Sequence, residues 1–371
     1  MRFRSLPLGA RLDRYVLRLF GVSYLAALFL VVGLFLILDM ATHLDDYLAP
    51  DKAGNTTSFA LVVRFYLLQV PFLYLQMAPY VTLIAGLFTG AHLARANEVV
   101  AALNAGLSVR RLFLPLYLAA GLLALAVFAL REGATASLGR ERELLQAHFD
   151  KKDRREPTRI ENLVVRDLEG RTVSVNQYEV GSEPNAGRIR GLSALYTRGD
   201  VRVSLAAAEA TPISGGRWAL VDGLRIEDDG RNRDVVEADL ENDLRFDPQD
   251  VELAWKAREH PLDLSTGEIG RILARDPTNL QLLTLRQYGL TLPWAGLVLL
   301  LVGLPFVVTH ERGKAGERIA RGFLLCVAYF LADTVARNLG LQGLIGPVFS
   351  GWLPLVLFGS LGAVLTASMR S

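Results

Sequence analysis

The most distinctive charged group in this sequence lies in a short segment, residues 95–111, between two apolar stretches. Asn97 can cap a helix, and Glu98 follows it, where a carboxylate is favourable near the positive end of the helix dipole. Apolar residues then repeat at helical spacing until Gly106, a residue type that commonly ends helices. These apolar residues are Val99, Val100, Leu103 and Leu107.

Two interpretations of this segment are open. The predicted helix, at about residues 95–107, could be an ordinary connection that lies on the membrane surface. It could instead be a coupling helix that inserts into a cytoplasmic partner and offers Glu98 as a charged contact.

The sequence lacks the motifs of common catalytic sites. It contains no G-x-S-x-G, no H-E-x-x-H and no glycine-rich phosphate loop, since Gly313-Lys314 lacks the preceding glycine. His148 and His260 lie far apart, without the spacing of metal ligands. The single cysteine, Cys326, can form neither an internal disulfide nor a cysteine-based metal site. We therefore expect a non-catalytic chain with no cofactor or metal of its own.

The charged residues are concentrated in the middle of the chain. Of the 38 acidic and 40 basic residues, 29 and 24 respectively lie in residues 131–286. The flanking parts are apolar, and apolar residues make up 51% of the 371 residues overall. This distribution excludes a soluble enzyme, a nucleic-acid-binding protein and a disordered scaffold. It indicates an integral membrane protein with one inserted polar domain.

Six apolar segments are candidates to cross a membrane. A helix that spans about 30 Å of hydrocarbon needs about 20 apolar residues, because lipid cannot satisfy unpaired backbone groups. The last segment also contains a predicted reverse turn at Gly346-Pro347. The segments are residues 19–38, 65–94, 112–130, 287–309, 319–336 and 338–369.

Lysine and arginine are unevenly distributed among the short loops. The N-terminus and loops 95–111 and 309–321 are rich in them, whereas loops 42–60 and 340–348 are poor. Because cytoplasmic loops carry the excess of basic residues, we expect both termini in the cytoplasm. The polar insert after the third span then lies on the far side of the membrane.

The polar insert has the pattern of a β-domain. Residues 133–155 continue the third span as a helix, and a short helix over 265–275 leads back, with Ser265 or Thr266 as its N-cap near Glu268. Between them, short segments of alternating polarity separated by turn signals predict an antiparallel sandwich or barrel. These segments are residues 162–166, 171–178, 189–197, 201–207, 217–226 and 235–240.

Two acidic residues lie near the outer ends of predicted spans. Ionisable groups inside a span are costly and usually face a bundle interior or a cavity. Asp39, which precedes Asp45 and Asp46, is expected to stay hydrated at the interface. Asp333 has Arg337 four residues later on the same helical face, so either an internal ion pair or a hydrated rim position fits.

Several short motifs, taken in order, give the chain a resemblance to a known family. They are Leu12-Asp13-Arg14-Tyr15 before the first span, the segment from Asn97-Glu98 to Ala105-Gly106, Gly216-Arg-Trp218-Ala-Leu220-Val-Asp-Gly223 in the insert, and Gly316-Glu-Arg318, Gly322 and Asp333 around the fifth span. Over nearly its whole length the chain resembles the YjgP/YjgQ permeases, the transmembrane subunits of the lipopolysaccharide exporter. The motif at residues 12–15 is more similar to the LptG branch than to its paralogue LptF.

The resemblance implies a fold and a set of partners. The expected fold is an α-helical membrane protein with six transmembrane helices, three before and three after an inserted jellyroll-like periplasmic β-domain. The implied domains are residues 1–132, 133–283 and 284–371. The implied partners are a paralogous permease subunit, a cytoplasmic ABC ATPase dimer that binds ATP and Mg²⁺, a single-span bridge protein, a periplasmic jellyroll protein and the lipopolysaccharide itself.

The resemblance also implies roles for particular residues. Lipopolysaccharide enters these permeases between the first and fifth helices and is expelled when ATP-driven closure collapses the cavity. The implied ATPase contact is Glu98, within a coupling segment that comprises Arg95, Asn97, Glu98, Val99, Leu103 and Gly106. The implied gate and cavity residues are Asp39, Arg318, Asp333 and Arg337.

The outer end of the first span departs from the family pattern. Family members that handle phosphorylated lipid A place basic residues there, whereas this chain has Asp39, His43, Asp45 and Asp46. Carboxylates repel phosphate. Three explanations are open: the partner subunit supplies the basic residues, a divalent cation bridges the acids to phosphate, or the lipid differs.

Two other functions compete with lipopolysaccharide export. One is a permease for another lipid or for lipoproteins, of the FtsX/LolC type, although those proteins usually have four helices. The other is a membrane-anchored sensor or structural protein whose β-domain binds a partner, although a simple anchor needs only one or two spans.

Overall fold

The computed structural model describes residues 7–50, 57–149, 159–181, 186–213, 216–230, 233–237, 244–308 and 315–369. The chain forms two compact units. The membrane unit comprises Met1–Asp45, Tyr66–Thr135 and Leu280–Ser371, and the sheet unit comprises Asp46–Phe65 and Ala136–Asn279. The domain boundaries expected from the resemblance stay a prediction.

Helices account for most of the described residues. Six helical stretches are long and apolar enough to cross a membrane, as the sequence predicts: Arg11–Leu48, Phe59–Arg95, Val109–Gly133, Leu280–Val307, Phe323–Leu341 and Pro347–Ser368. Together with the inserted sheet they confirm the predicted fold class. The helices in the described part of the chain are α1 (Pro7–Leu48), α2 (Phe59–Arg95), α3 (Glu98–Asn104), α4 (Val109–Phe149), α5 (Pro248–Glu259), α6 (Thr266–Arg275), α7 (Leu280–Val308), α8 (Ala315–Leu341) and α9 (Pro347–Ser368).

Prolines and glycines affect these helices differently. Pro71 and Pro79 lie inside α2, which nevertheless continues as one helix. Neighbouring helices and local adjustment satisfy the backbone groups that an intramembrane proline frees. The predicted turn at Gly346-Pro347 is confirmed, because Gly346 is the N-cap of α9 and Pro347 its first residue. The polypeptide before it, through Leu341, belongs to α8.

The six spans differ in how much of their surface the chain itself covers. Of the most apolar stretch of α7, 67% is buried, against 17% for α1 and 22% for α8. Phe29 on α1 and Leu324 on α8 are among the exposed large apolar side chains. The central helix of the membrane unit is therefore α7, while α1 and α8 present apolar faces to lipid or to a partner.

Glycines let the spans approach α7 closely. A Cβ on Gly86 of α2 would lie 1.9 Å from Leu300 Cδ1, and one on Gly362 of α9 would lie 2.9 Å from Leu301 Cβ. Small residues at helix contacts increase van der Waals packing, which drives association inside a membrane where no hydrophobic effect operates. These two glycines therefore fix α2 and α9 against the central helix.

The sheet unit contains one antiparallel sheet in its described residues. The strand order is β1-β2-β3-β4-β6-β7, with β5 also paired to β4. The long strand β4 pairs with β6 along one part and with β5 along another. The strands are β1 (Arg159–Arg166), β2 (Thr172–Val180), β3 (Gly187–Arg198), β4 (Val201–Ile213), β5 (Arg217–Val221), β6 (Leu224–Asp228) and β7 (Arg233–Glu237).

One predicted strand is divided in two. The alternation over residues 217–226 predicts a single strand, but the chain turns between β5 and β6 at Asp222, whose φ is 54°. Aspartate tolerates this left-handed conformation better than most residues. The predicted strand at 235–240 corresponds to β7, and its last three residues lie outside the described residues.

The tryptophan motif of the insert forms part of the sheet unit's core. The Trp218 side chain is only 1% exposed, stacks on Phe246 with 5.1 Å between ring centroids, and donates from Nε1 to the Phe246 carbonyl at 2.7 Å. The Phe246 N–H in turn donates to the Gly216 carbonyl at 3.0 Å. Gly216 has a φ of 70°, which glycine adopts without strain. The motif is therefore explained by packing and backbone geometry.

Candidate coupling interface

The predicted coupling helix is present but shorter than expected. It is α3, seven residues between α2 and α4, and Arg95 is the last residue of α2. Gly106, with a φ of 77°, ends it as predicted, and its N–H donates to the Leu103 carbonyl at 2.9 Å. Val99 is buried in the core of the membrane unit and Leu103 packs against that core, whereas Val100 is exposed.

Asn97 does not cap α3 in the predicted way. It occupies the N-cap position with φ 58° and ψ 17°, and its side chain makes no capping hydrogen bond. A capping residue usually has an extended backbone, from which its side chain can reach the free N–H groups. Asn97 therefore shapes the turn between α2 and α3, and asparagine suits this left-handed conformation.

Glu98 contacts the first span. The Tyr15 hydroxyl donates to Glu98 Oε1 at 2.8 Å. The same carboxylate lies in the first turn of α3, as predicted, and is half-buried. Because a carboxylate accepts several hydrogen bonds, Oε2 can accept one from another group while Tyr15 holds Oε1.

A second contact joins the end of the coupling segment to the same span. Arg111, in the first turn of α4, donates from both terminal nitrogens to the two carboxylate oxygens of Asp13, each at 2.8 Å. This bidentate geometry fixes direction as well as distance. Both side chains are partly exposed, 43% for Arg111 and 32% for Asp13. The resemblance motif at residues 12–15 thus supplies both partners of the coupling segment on α1.

A third contact joins the segment to the last span. Arg110 donates to the carbonyl of Ala367, and also to that of Met369 at 3.4 Å. These carbonyls lie at the C-terminal end of α9, where a cation is favourable. The start of α1, the polypeptide from α3 to the start of α4, and the end of α9 therefore lie at one end of the membrane unit.

Asp39 lies in the C-terminal part of α1 with a local partner. His43 Nδ1 lies 3.2 Å from Asp39 Oδ1, one helical turn away. The Asp39 side chain is 26% exposed and that of His43 is 49% exposed. The pair is accessible at the surface of the described chain. Among the described residues, no group of three or more His, Cys, Asp or Glu side chains could hold a metal ion.

Asp333 and Arg337 are both half-buried on α8. The Arg337 guanidinium lies over the ring of Tyr288 on α7, 4.5 Å from its centroid. A cation over an aromatic face is attracted by the ring's quadrupole. Arg318 belongs to the first turn of α8, and its side chain lies outside the described part of the structure.

The sheet unit contains a charged cluster that the sequence did not reveal. The buried Arg142 on α4 donates to Asp263 at 2.6 Å, and Lys256 on α5 donates to both Glu268 oxygens at 2.8 and 3.0 Å. Glu268 also completes the predicted capping box of α6, since its N–H donates to Ser265 Oγ at 3.0 Å. With Glu143, these four charged residues form what we call the buried charge cluster.

Burial changes the acidity of this cluster. Desolvation raises the pKa of Glu143, which is 5% exposed, to about 7 from an ordinary 4.5. Lys256 and Arg142 oppose that rise, whereas Glu268 and Asp263 add to it. Burial also lowers the pKa of the neighbouring His260. Glu143 is thus near half-protonated at neutral pH.

Comparison with known proteins identifies the family. The search of curated proteins finds no match. The model of the family described as lipopolysaccharide export system permease LptF/LptG matches residues 14–368, and it covers both branches without separating them. Because this match spans nearly the whole chain, the protein belongs to the LptF/LptG family of lipopolysaccharide export permeases.

Proposed function

We propose that this chain is the permease subunit of an ABC transporter that extracts lipopolysaccharide from the inner membrane and passes it to a periplasmic bridge. Its family membership and six spanning helices already make it a multi-pass inner-membrane permease. The proposal adds the source of energy, the partners and the direction of transport. The chain itself is proposed to be non-catalytic, with ATP and Mg²⁺ bound by the partner ATPase.

The geometry of α3 carries this proposal. A short helix joins two spans at one end of the membrane unit, buries Val99, leaves Val100 39% exposed, and has the half-buried Glu98 in its first turn. A short helix that presents an apolar side chain and a carboxylate suits insertion into a groove of a partner protein. We infer that the groove belongs to a cytoplasmic ABC ATPase dimer and that Glu98 is its charged contact.

The orientation follows from the basic loops. The contacts of Arg110 and Arg111 place the coupling segment at the same end as the start of α1 and the end of α9. Because short loops rich in arginine and lysine stay in the cytoplasm, we infer that this end is cytoplasmic. The β-domain then lies in the periplasm, where a bridge protein and a jellyroll protein would receive the lipid.

The lateral gate is proposed between the helices that the chain leaves uncovered. Both α1 and α8 expose large apolar side chains, which suits contact with lipid tails and with a paralogous permease subunit. Asp39 and, on α8, Arg318, Asp333 and Arg337 would line this path. The three explanations for the acidic outer end of α1 remain separate hypotheses: basic residues of the partner, a bridging divalent cation, or a different lipid.

Affinity purification tests the proposal directly. The tagged full-length protein would be purified in mild detergent, and bound proteins and lipids would be identified by mass spectrometry. We expect an ABC ATPase, a permease of similar size and lipopolysaccharide. Recovery of the protein alone after cross-linking would contradict the proposal. The variant Glu98→Ala should lose the ATPase while keeping the second permease.

A further inference from the structure

The coupling helix is too short to fix its own direction. An isolated helix of fewer than about 12 residues is marginal in water, and α3 has seven. Its N-terminus also lacks the side-chain cap that Asn97 was expected to give. The direction of α3 therefore depends on contacts with other parts of the membrane unit.

Two contacts with α1 lie at opposite ends of this segment. Tyr15 holds Glu98, the first residue of α3, and Asp13 holds Arg111, seven residues beyond the last one. The first contact holds the start of α3, and the second holds the first turn of α4, which begins four residues after Ala105. Together they attach both ends of the polypeptide from Glu98 to Arg111 to α1. Asp13 and Tyr15 both lie near the start of α1. A movement of α3 would therefore displace the start of this helix.

These contacts are expected to contribute little to the free energy of folding. Ion pairs at the surface contribute about 0–1 kcal/mol to folding, and the side chains of the Asp13–Arg111 pair are partly exposed. The bidentate geometry nevertheless restricts orientation, since the planar guanidinium must face the carboxylate. The contacts are thus better suited to positioning than to stability.

We propose that Tyr15 and the Asp13–Arg111 pair are positioning residues that hold α3 and the start of α4 against α1 and transmit the movement of α3 to that span. This inference rests on the proposed function, because it assumes that α3 binds the ATPase. It assigns a role to the motif at residues 12–15 and to Arg111, which in the sequence alone indicated only membrane orientation.

A charge exchange tests the ion pair. The complete exporter would be reconstituted in proteoliposomes with Asp13→Arg, with Arg111→Asp, or with both. We expect each single variant to lower the lipopolysaccharide released per ATP hydrolysed by about fivefold. The double variant should recover most of the loss, because it restores an ion pair with the polarity reversed. A merely structural role would change protein yield without changing this ratio.

Hydroxyl removal tests the second contact without altering charge. Tyr15→Phe loses only the hydroxyl that donates to Glu98, and we expect about a two- to fivefold lower ratio. Tyr24→Phe is the matched control, because Tyr24 lies on the same helix and its hydroxyl bonds with Tyr74 at 2.8 Å, away from α3. This control should keep the wild-type ratio.

The outcomes distinguish a failure of the positioning role from a failure of the proposed function. If the wild-type complex hydrolyses ATP and releases lipopolysaccharide while Asp13→Arg and Tyr15→Phe behave like it, the positioning role is wrong and the proposed function stands. If the wild-type chain neither binds an ATPase nor releases the lipid, the proposed function itself fails. A ratio lowered in the single variants and recovered in the exchange supports the inference.

Discussion

The contacts around α3 and the buried charge cluster use the same chemistry in opposite surroundings. Arg111 meets Asp13 at 2.8 Å and Arg142 meets Asp263 at 2.6 Å. The side chains of the first pair are 43% and 32% exposed, whereas those of the second are 5% and 9% exposed. The two ion pairs therefore have similar distances but differ in the exposure of their side chains.

The difference in exposure determines what the loss of one partner costs. A charge left unpaired at the surface is hydrated again, so little free energy changes. A charge left unpaired in the interior loses its counter-ion and cannot regain water. The buried charge cluster should therefore govern the stability of the sheet unit, and the contacts around α3 should govern function.

The largest effect is expected at Asp263. Asp263→Ala removes the carboxylate that the buried Arg142 contacts at 2.6 Å, and removal of one partner from a buried ion pair costs about 3–5 kcal/mol. Thermal unfolding of the full chain in detergent, followed by tryptophan fluorescence, would show a lower Tm. Trp218 in the core of the sheet unit reports on this region.

An exposed carboxylate of the same unit provides the control for that experiment. Glu209 on β4 lies 3.7 Å from both Arg188 and Arg190 on β3, and these three side chains are 38%, 50% and 44% exposed. Glu209→Ala should therefore change the free energy of unfolding by less than about 1 kcal/mol. Equal losses in the two variants would contradict the distinction drawn from exposure.

The next effect depends on pH and concerns Glu143. Its folded pKa of about 7 exceeds the ordinary 4.5, so between these values the folded chain keeps a proton that the unfolded chain has lost. The contribution of Glu143 to stability therefore falls as pH rises through this window and is lowest above pH 7. The full penalty is on the order of 3 kcal/mol.

Glu143→Gln isolates this contribution. We expect the variant to be more stable than the wild type at pH 8.5, with the advantage shrinking towards pH 5. The difference in Tm between the two proteins, measured across this range, also cancels the separate titration of His260. A difference that grows as pH falls would show that the sign is wrong.

Asp333 represents an intermediate case, since it is half-buried on a spanning helix. Asp333→Asn removes a half-buried charge but keeps the size of the side chain, so its effect on stability should be smaller than that of Asp263→Ala, about 1 kcal/mol. If Asp333 belongs to the gate, export in proteoliposomes should fall while the complex still assembles. Unchanged export would instead assign Asp333 to the hydrated rim, with Asp39→Asn as the comparison.

The smallest effect on stability is expected at the coupling segment. Asp13→Asn removes one charge of a partly exposed pair. The free energy of unfolding should therefore change by no more than about 1 kcal/mol, and the Tm should shift only slightly. Lipopolysaccharide release per ATP should nevertheless fall. A large loss of Tm in this variant would make the pair a stabilising feature and would remove the contrast between the two regions.

The spans could be predicted because the membrane imposes a simple requirement. Each needs about 20 apolar residues with all backbone groups paired, and that length is visible in the sequence. The Gly346-Pro347 turn and the Ser265–Glu268 capping box are equally local, so they too were predicted. The division at Asp222 was missed although Asp222-Gly223, between two apolar runs, is itself a local turn signal.

The contacts around α3 and in the buried charge cluster could not be predicted from the sequence. Arg111 and Asp13 are 98 residues apart, and Arg142 and Asp263 are 121 apart. Residue type and spacing along one helix carry no information about such tertiary pairs. Arg142 and Glu143 also lie in a charged helical stretch that resembles a solvated face. Only the packing of α5 and α6 shows that they are buried.

ATP-driven release of lipopolysaccharide tests the central claim most directly. Proteoliposomes would contain this chain, its paralogous permease and the ABC ATPase, with Glu98→Ala as the matched variant. We expect the wild-type complex to release lipopolysaccharide only when ATP is present, and the variant to remain folded but release little. Release that is independent of ATP, or equal in both complexes, would contradict the account of α3 as the coupling helix.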